Sequence, residues 1–358
     1  MLPATHTYML RCLELAQLGK GNAAPNPMVG AVLVYNGRII GEGWHRQYGE
    51  AHAEVNCIES VKQEDRHLIP ESTMYVSLEP CAHYGKTPPC ALRLVHEKVK
   101  KVIICNTDPF EKVGGKGIEI LQQAGIETET GVLEDEGLWL NRRFFCYHRQ
   151  KRPYIILKWA QTANGFIAPA DRTRLQISNT HSSQLVHKWR TEEAAILVGY
   201  QTALHDNPQL TARGWHGRQP LRLVLDRTLS LPATHHLLDN SVDTWIINEV
   251  QEAENGRSIQ VHLPFNEALL PSLLQKLYDA GKTSLIVEGG AQLLQSFINL
   301  GLWDEARVFT VPKLLAAGIA APLLSGANAP HSFHIEDDEL VSYVNQQSSY
   351  PYINGMAL

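Results

Sequence analysis

Apolar residues recur at helical spacing near the start of the chain, where Met9, Cys12, Leu13 and Ala16 would share one face. The apolar run Met28 to Val34 then meets Ile39 to Gly41 across Asn36-Gly37, a dipeptide favoured in two-residue hairpin turns. Helical stretches follow near 51–63, 89–98, 117–124 and 133–148, separated by short apolar runs Met74 to Leu78, Val102 to Cys105 and Ile126 to Thr130. The pattern predicts about five strands and five helices in an α/β sandwich over residues 1–148.

The basic, proline-containing stretch His148-Arg149-Gln150-Lys151-Arg152-Pro153 has no apolar periodicity and precedes a fresh strand candidate, Tyr154 to Trp159. The boundary is placed there, with a first domain over 1–148, a linker over 149–153 and a second domain over 154–358. Alternation resumes beyond it. Strands are predicted at Ala195 to Gly199, Leu221 to Leu225, Thr244 to Ile247, Leu285 to Glu288 and Arg307 to Val311, with helices near 181–190, 267–280 and 291–300. No internal repeat, low-complexity tract or heptad run interrupts this second α/β pattern.

Composition adjusts the picture in four ways. At 358 residues, the chain suits two domains of the usual size of roughly 150 residues. With 44% apolar and 19% charged residues and no apolar run near the ~18 residues of a membrane span, it reads as soluble and globular. A net charge of −5 provides no general field for nucleic acid or an anionic membrane, so neither is expected as a partner, and an anionic ligand must be held locally. Six cysteines are few for this length and the N-terminus lacks a secretory pattern, which points to a reduced, cytoplasmic setting. There, a close cysteine pair with a histidine upstream is more often metal-binding or catalytic than disulfide-bonded.

Cys81 and Cys90 form such a pair. His52-Ala53-Glu54 opens a helix, and Pro80-Cys81 follows, with Cys90 nine positions after Cys81. One histidine and two thiolates supply three ligands for one Zn2+ per chain and leave its fourth tetrahedral position for water, as a catalytic zinc requires. Glu54 is placed to carry the proton from that water to a leaving amine. H-x-E…P-C-x-x-C is the signature of zinc nucleobase deaminases. Here eight residues, Ala82 to Pro89, stand between the cysteines instead of two, and they bring His83 and Lys86 to the rim. Taken singly, each of these residues is better explained by ordinary packing; their joint order on a helix start and a strand-to-helix turn is what carries the reading. Gly85-Lys86-Thr87 and Gly281-Lys282-Thr283 end like a phosphate-binding loop, but Pro80 and Lys276 stand where its first glycine belongs.

Together with Pro25-Asn26-Pro27-Met28-Val29-Gly30 and the stretch His45 to Glu54, the segment Glu79 to Cys90 closely resembles the bifunctional riboflavin-biosynthesis deaminase/reductase family. The resemblance continues through Ile196-Leu197-Val198-Gly199, Thr202, Asp206-Asn207-Pro208-Gln209-Leu210-Thr211, Arg213, Leu225-Asp226 and Val287-Glu288-Gly289-Gly290. It implies a cytidine-deaminase-like three-layer α/β/α domain followed by a dihydrofolate-reductase-like α/β domain. The first would remove the 2-amino group of a diamino-ribosylamino-pyrimidinone 5′-phosphate, and the second would reduce ribosyl to ribityl with NADPH. It further implies a homo-oligomer, a dimer or larger, formed through the second domain. His52, Cys81 and Cys90 would bind zinc, Glu54 would shuttle protons, and Asn26, His83, Lys86 and Asp108 would hold the pyrimidine and its ribose phosphate. In the second domain, Lys158 would act near the reacting sugar, Leu210, Arg213 and Glu288 would touch substrate, and Thr202, Asp206, Gly289 and Gly290 would contact NADPH. Arg190 suits either the phosphate or the helix dipole.

Some positions depart from the family pattern. Asn164 stands where an aspartate is common, Arg174 and Gln176 stand where serine and tryptophan are usual, and Phe110 replaces an asparagine. These changes motivate an alternative in which the second domain is a catalytically silent assembly module. A polynucleotide deaminase would want basic grooves, which the charge does not favour, and a purely structural zinc would leave Glu54 idle.

Overall fold

The structure, a computed structural model, describes residues 3–84, 88–110, 114–328 and 331–353. They divide into two compact units, one running to Gln150 and resuming at Tyr350, the other Lys151–Ser349. Periodicity alone carries the second domain to residue 358, whereas Tyr350 is buried and Tyr352 sets its ring on Trp139 of the first unit, centroids 5.1 Å apart.

The first unit runs α1 (Ala4–Gln17), β1 (Gly30–Tyr35), β2 (Arg38–Trp44), α2 (Ala53–Glu59), β3 (Thr73–Leu78), α3 (Cys90–His96), β4 (Lys101–Asn106), α4 (Lys116–Gln123), β5 (Glu127–Thr130), α5 (Glu134–Leu140) and α6 (Arg142–Gln150). Its sheet has the order β2-β1-β3-β4-β5, with β1 antiparallel to both neighbours and the remaining pairs parallel. Alternate residues bury both faces, so the strands read as continuous apolar runs. Ala31, Leu33, Met74, Val76, Val102 and Ile104 pack on Ala53, Cys57, Leu94 and Leu121 of α2 to α4. Val32, Val34, Tyr75 and Ile103 pack on Met9, Cys12, Leu13 and Ala16 of α1, which completes three layers.

The turn Asn36-Gly37 has φ of 45° and 79°, the left-handed pair expected of that dipeptide in a tight hairpin. Gly43 on β2 matters for position: a Cβ there would run into the backbone of Ala53 and Cys57, so its absence lets the start of α2 lie directly on the sheet. The stretch 133–148 predicts one helix, and the structure breaks it at Asn141 (φ −102°, ψ 23°). Asn141 accepts the Met28 N–H and donates to the Met28 carbonyl, both at 2.9 Å. A side chain that clamps a distant backbone segment competes with continued helix. Likewise α2 stops at Glu59, and Gln63–Glu71 forms a separate 3-10 turn.

The second unit runs β6 (Tyr154–Thr162), β7 (Phe166–Pro169), α7 (Thr180–Glu192), β8 (Ala195–Val198), α8 (Tyr200–Asp206), β9 (Leu221–Leu225), β10 (Thr244–Asn248), β11 (Ala253–Asn255), β12 (Ser258–His262), α9 (Leu269–Asp279), β13 (Ser284–Glu288), α10 (Ala291–Asn299), β14 (Glu305–Val311), β15 (Gly318–Ala320), β16 (His331–Ile335) and β17 (Asp338–Val344). Ten strands form one sheet, β11-β12-β10-β9-β8-β13-β6-β14-β17-β16, parallel from β12 through β14. Leu157, Leu197, Leu223 and Val287 bury one face against Leu273, Leu277, Leu294 and Phe297 of α9 and α10. On the other face Val186 and Trp189 of α7 meet Phe309 and Leu340. Among the described residues no helix is long and apolar enough to cross a membrane.

Candidate active sites

His52 sits at the N-cap of α2 with extended φ/ψ, so its side chain leaves the helix before the first turn. Cys81 follows the end of β3, and Cys90 opens α3 behind Pro89. Three elements distant in sequence thereby bring one donor atom each within 4.8 Å of one another. His52 Nδ1 lies 3.5 Å from Cys81 Sγ and 3.4 Å from Cys90 Sγ, and the Cys90 N–H donates to Cys81 Sγ at 3.2 Å. Two thiolates and an imidazole are the borderline-soft donors that Zn2+ prefers, so the trio fits that ion.

Glu54, on the first turn of α2, is only 3% exposed. Burial pushes its carboxyl up to about 7, and the charge of Cys81 adds to this. Cys81 is itself held low by the hydrogen bond from Cys90 and by His52. A carboxyl near neutrality beside the trio can both accept and return a proton.

The expected substrate positions ring this cluster unevenly. Asn26 donates from Nδ2 to His45 Nε2 at 3.2 Å. His45 Nδ1 donates to the Ala51 carbonyl at 3.2 Å, and the ring stands edge-on to His52, centroids 5.3 Å apart. Asp108 follows β4; burial pushes its carboxyl up to about 6, with Glu79 adding to the shift and nearby His83 opposing it. Lys86 lies outside the described residues.

Glu79 joins these parts. Its buried carboxylate accepts N–H groups from Asp108 (3.2 Å), Gly115 (3.0 Å), Gly117 (2.9 Å) and Ile118 (3.4 Å). One side chain thus fixes both the Asp108 loop and the start of α4. Gly117 has no room for a Cβ, because it would overlap the Pro80 carbonyl.

The second unit holds a cavity of about 1220 Å3 that every residue expected there lines: Lys158, Thr202, Asp206, Leu210, Arg213, Glu288, Gly289 and Gly290. That volume exceeds the several hundred Å3 of an ordinary ligand pocket and accommodates a dinucleotide beside a sugar phosphate. It opens by the carboxyl ends of β8, β9 and β13, where parallel sheets bind ligands. Gly289 and Gly290 have φ of 75° and 79° and turn into the N-terminus of α10, with Gly290 as its N-cap. A Cβ on Gly290 would sit 3.2 Å from Thr202 Oγ1. This is a close-approach turn of the kind that admits a nucleotide backbone.

Glu288 pairs in register with Lys158 on the adjacent strand. Arg190 at the end of α7 grips Glu288 with two hydrogen bonds, 3.0 and 2.7 Å, and donates to the Thr211 carbonyl at 3.0 Å. Burial pushes the Glu288 carboxyl up, but Arg190 and Lys158 outweigh it and hold it at about 2. Burial lowers Lys158, whose Nζ lies 5.6 Å from the Phe309 ring centroid. Burial also raises Asp206.

The family profile described as the RibD C-terminal domain matches residues 153–347, and the cytidine and deoxycytidylate deaminase zinc-binding region matches 3–106. The riboflavin biosynthesis protein RibD of Aquifex aeolicus is 38% identical over 321 residues, 87% of this chain and 88% of that protein. The chain belongs to the RibD family. The crystal structure of a diaminohydroxyphosphoribosylaminopyrimidine deaminase/5-amino-6-(5-phosphoribosylamino)uracil reductase from Thermotoga maritima matches with a TM-score of 0.86 at 34% identity, covering 96% of this chain and 99% of that one. RibD of Acinetobacter baumannii matches equally, TM-score 0.86 at 32% identity over 95% and 98%. This RibD family member is a bifunctional enzyme of riboflavin biosynthesis, a Zn2+-dependent deaminase joined to an NADPH-dependent reductase. Its first unit is cytidine-deaminase-like and its second a RibD-type reductase domain.

The departures find separate explanations. Asn164 accepts from Thr162 Oγ1 at 2.8 Å and donates to the Leu315 carbonyl at 2.7 Å, so its amide ties a turn to a neighbouring loop. An aspartate could not make the second bond. Phe110 sets its ring near His148, centroids 5.3 Å apart. Arg174 and Gln176 both line the cavity. Residues to which sequence reasoning gave no role include Glu79, His45, Asn141 and Arg222. The fully buried Arg222 donates to the carbonyls of Gln209 (3.2 Å) and His236 (2.9 Å) and so anchors the loop carrying Leu210. The available signal was a lone arginine inside the apolar strand Leu221 to Leu225.

Proposed function

We propose that the first unit hydrolytically removes the 2-amino group of 2,5-diamino-6-ribosylamino-4(3H)-pyrimidinone 5′-phosphate, and that the second reduces the ribosyl group of the product to ribityl. The observation that carries the first half is the convergence of His52, Cys81, Cys90 and buried Glu54 from three separate elements. In this reading His52, Cys81 and Cys90 hold zinc, which when bound makes water acidic enough to lose a proton near neutral pH. Glu54 takes that proton and hands it to the leaving amine. Asn26, His83, Lys86 and Asp108 hold the pyrimidine and its ribose phosphate. Asn26 is aligned by His45, and Asp108 by Glu79.

In the second unit Gly289, Gly290, Thr202 and Asp206 hold NADPH, which supplies the hydride. Lys158, half-buried on the strand next to Glu288, keeps a proton at Nζ for the opened sugar, and Leu210, Glu288 and Arg213 orient the substrate. Positioning and exclusion of water are the protein's share of that step. The same proposal includes a homo-oligomer, a dimer or larger, working in the cytoplasm; six free cysteines suit a reducing compartment.

Mass spectrometry of the diamino-pyrimidinone ribose phosphate incubated with the zinc-loaded chain tests both steps. Exchange of an amine for oxygen without NADPH, followed by gain of a hydride and a proton when NADPH is added, is the expected result. Deamination that never proceeds to the ribityl product would remove the second half of the proposal. A substrate recovered unchanged would remove the first.

A further inference from the structure

The cavity of the second unit holds more positive charge than its ion pairs consume. Arg190 is neutralised by Glu288, and Arg227 by Glu249 at 2.6 Å. Arg174 and Arg213 line the same cavity, and among the described residues neither guanidinium forms an ion pair. Two cations facing one space with no ion-pair partner repel each other, and an anion between them converts that cost into binding energy.

The backbone on both sides of Arg174 is fixed. Asp171 accepts the N–H and hydroxyl of Thr173 at 3.0 and 2.9 Å. On the other side Lys313 Nζ donates to the carbonyls of Gln176 (3.1 Å) and Ile177 (3.2 Å), Gln176 Nε2 donates to Ser183 Oγ at 3.0 Å, and Ile177 is buried. Arg213 also belongs to a definite end of the cavity. Arg213 lies within electrostatic reach of Arg190 and His187, beside the Lys158–Glu288 centre, whereas the Gly289-Gly290 turn faces Thr202. Burial lowers the Arg213 guanidinium first, and Arg190 and Arg174 lower it further. Arg174 also feels Asp206, at more than ion-pair distance.

We propose that Arg174 and Arg213 together clamp the phosphate monoester of the reductase substrate, which makes Arg174 a specificity-determining residue of this chain. The clamp rests on the substrate reading given above. It leaves Arg190 to Glu288 and gives the dianion two guanidiniums, each able to donate in fork geometry.

The test uses the zinc-loaded full chain, steady-state reductase kinetics, and the variants Arg174→Ala and Arg174→Lys. Substrates are the deaminated ribose phosphate and its dephosphorylated nucleoside, with inorganic phosphate as a competing probe. For Arg174→Ala the KM of the phosphorylated substrate should rise about 10- to 100-fold, the range of one charge-assisted hydrogen bond. Its kcat and the KM of NADPH should stay within about 2-fold, the inhibition constant of phosphate should weaken in parallel with KM, and kcat/KM for the nucleoside should not move. Arg174→Lys should recover part of the loss, since it restores a point charge without the fork. An equal loss on the nucleoside, or a rise in the KM of NADPH instead, would overturn the clamp; the latter would assign Arg174 to the phosphates of the cofactor. A wild-type chain that cannot reduce the ribose phosphate overturns the substrate reading and the clamp with it. Wild-type turnover with unchanged Arg174→Ala kinetics overturns the clamp alone.

Discussion

The two sites solve the problem of placing charge in opposite ways. In the first unit the candidate groups are few and crowded: three donor atoms suited to a metal within 4.8 Å, and one carboxyl 3% exposed beside them. Their positions follow from backbone geometry, a helix N-cap, a strand end and a helix start, so little besides close packing is needed to hold them. In the second unit the groups are spread over a cavity of about 1220 Å3 and come from β6, α7, α8, β13 and the loops after them. There, ion pairs do the holding: Arg190 binds Glu288, and Glu288 faces Lys158 across two strands. A metal centre needs precise ligands in a small volume, whereas a site for two large ligands needs width, with electrostatics fixing its few critical side chains.

The largest expected effect separates the two sites outright. Replacement Glu54→Gln, or removal of zinc by a chelator, should lower ammonia release by about 10³-fold or more, in the range of a lost general acid–base. NADPH oxidation with already deaminated substrate should be unaffected. Equal loss of both activities would show that the sites are not independent.

A smaller effect concerns the ion pair that organises the cavity. Replacement Glu288→Gln leaves Arg190 and Lys158 without their counter-charge and should lower reductase kcat/KM on the order of 10²-fold, with ammonia release unchanged. The pH dependence of stability gives a second readout. Glu288 is held at about 2 against an ordinary 4.5, so its contribution is complete above the ordinary value and is lost as pH falls toward 2. That contribution is on the order of 3 kcal/mol. Calorimetry across that window should show a flatter acid limb in the glutamine variant; an identical limb would mean that the pair does not stabilise the fold. The smallest effect is that of Asn164→Asp. It should cost about 1 kcal/mol in urea unfolding through the lost bond to the Leu315 carbonyl, with reductase constants within about 2-fold. A larger kinetic change would place Asn164 in the chemistry rather than in the turn.

Much of this architecture was legible in the chain. Strands buried on both faces appear as unbroken apolar runs, and β1, β3, β4, β8, β9 and β13 lie where those runs predict them, within a residue or two. Asn36-Gly37 identified its hairpin because few other dipeptides tolerate two left-handed residues. The exposed or short strands β7, β11, β15 and β16 escaped, since an edge strand has little apolar pattern to display. Asn141 escaped for a different reason: its helix break is made by a bond to Met28, 113 positions away.

By itself the sequence determined the two α/β units, the order His52, Glu54, Cys81, Cys90, and the glycine turn Gly289-Gly290, because each is written in local spacing or in residue types with few alternative uses. Only the tertiary structure decided that Glu79 fixes Asp108, that His45 aligns Asn26, that Arg190 belongs to Glu288, and that Arg174 faces the same cavity as Arg213. Such pairings join residues far apart in the chain, and a hydrogen bond or ion pair leaves no periodic trace in sequence. Their partners are chosen by distance and burial, which exist only once the layers have packed.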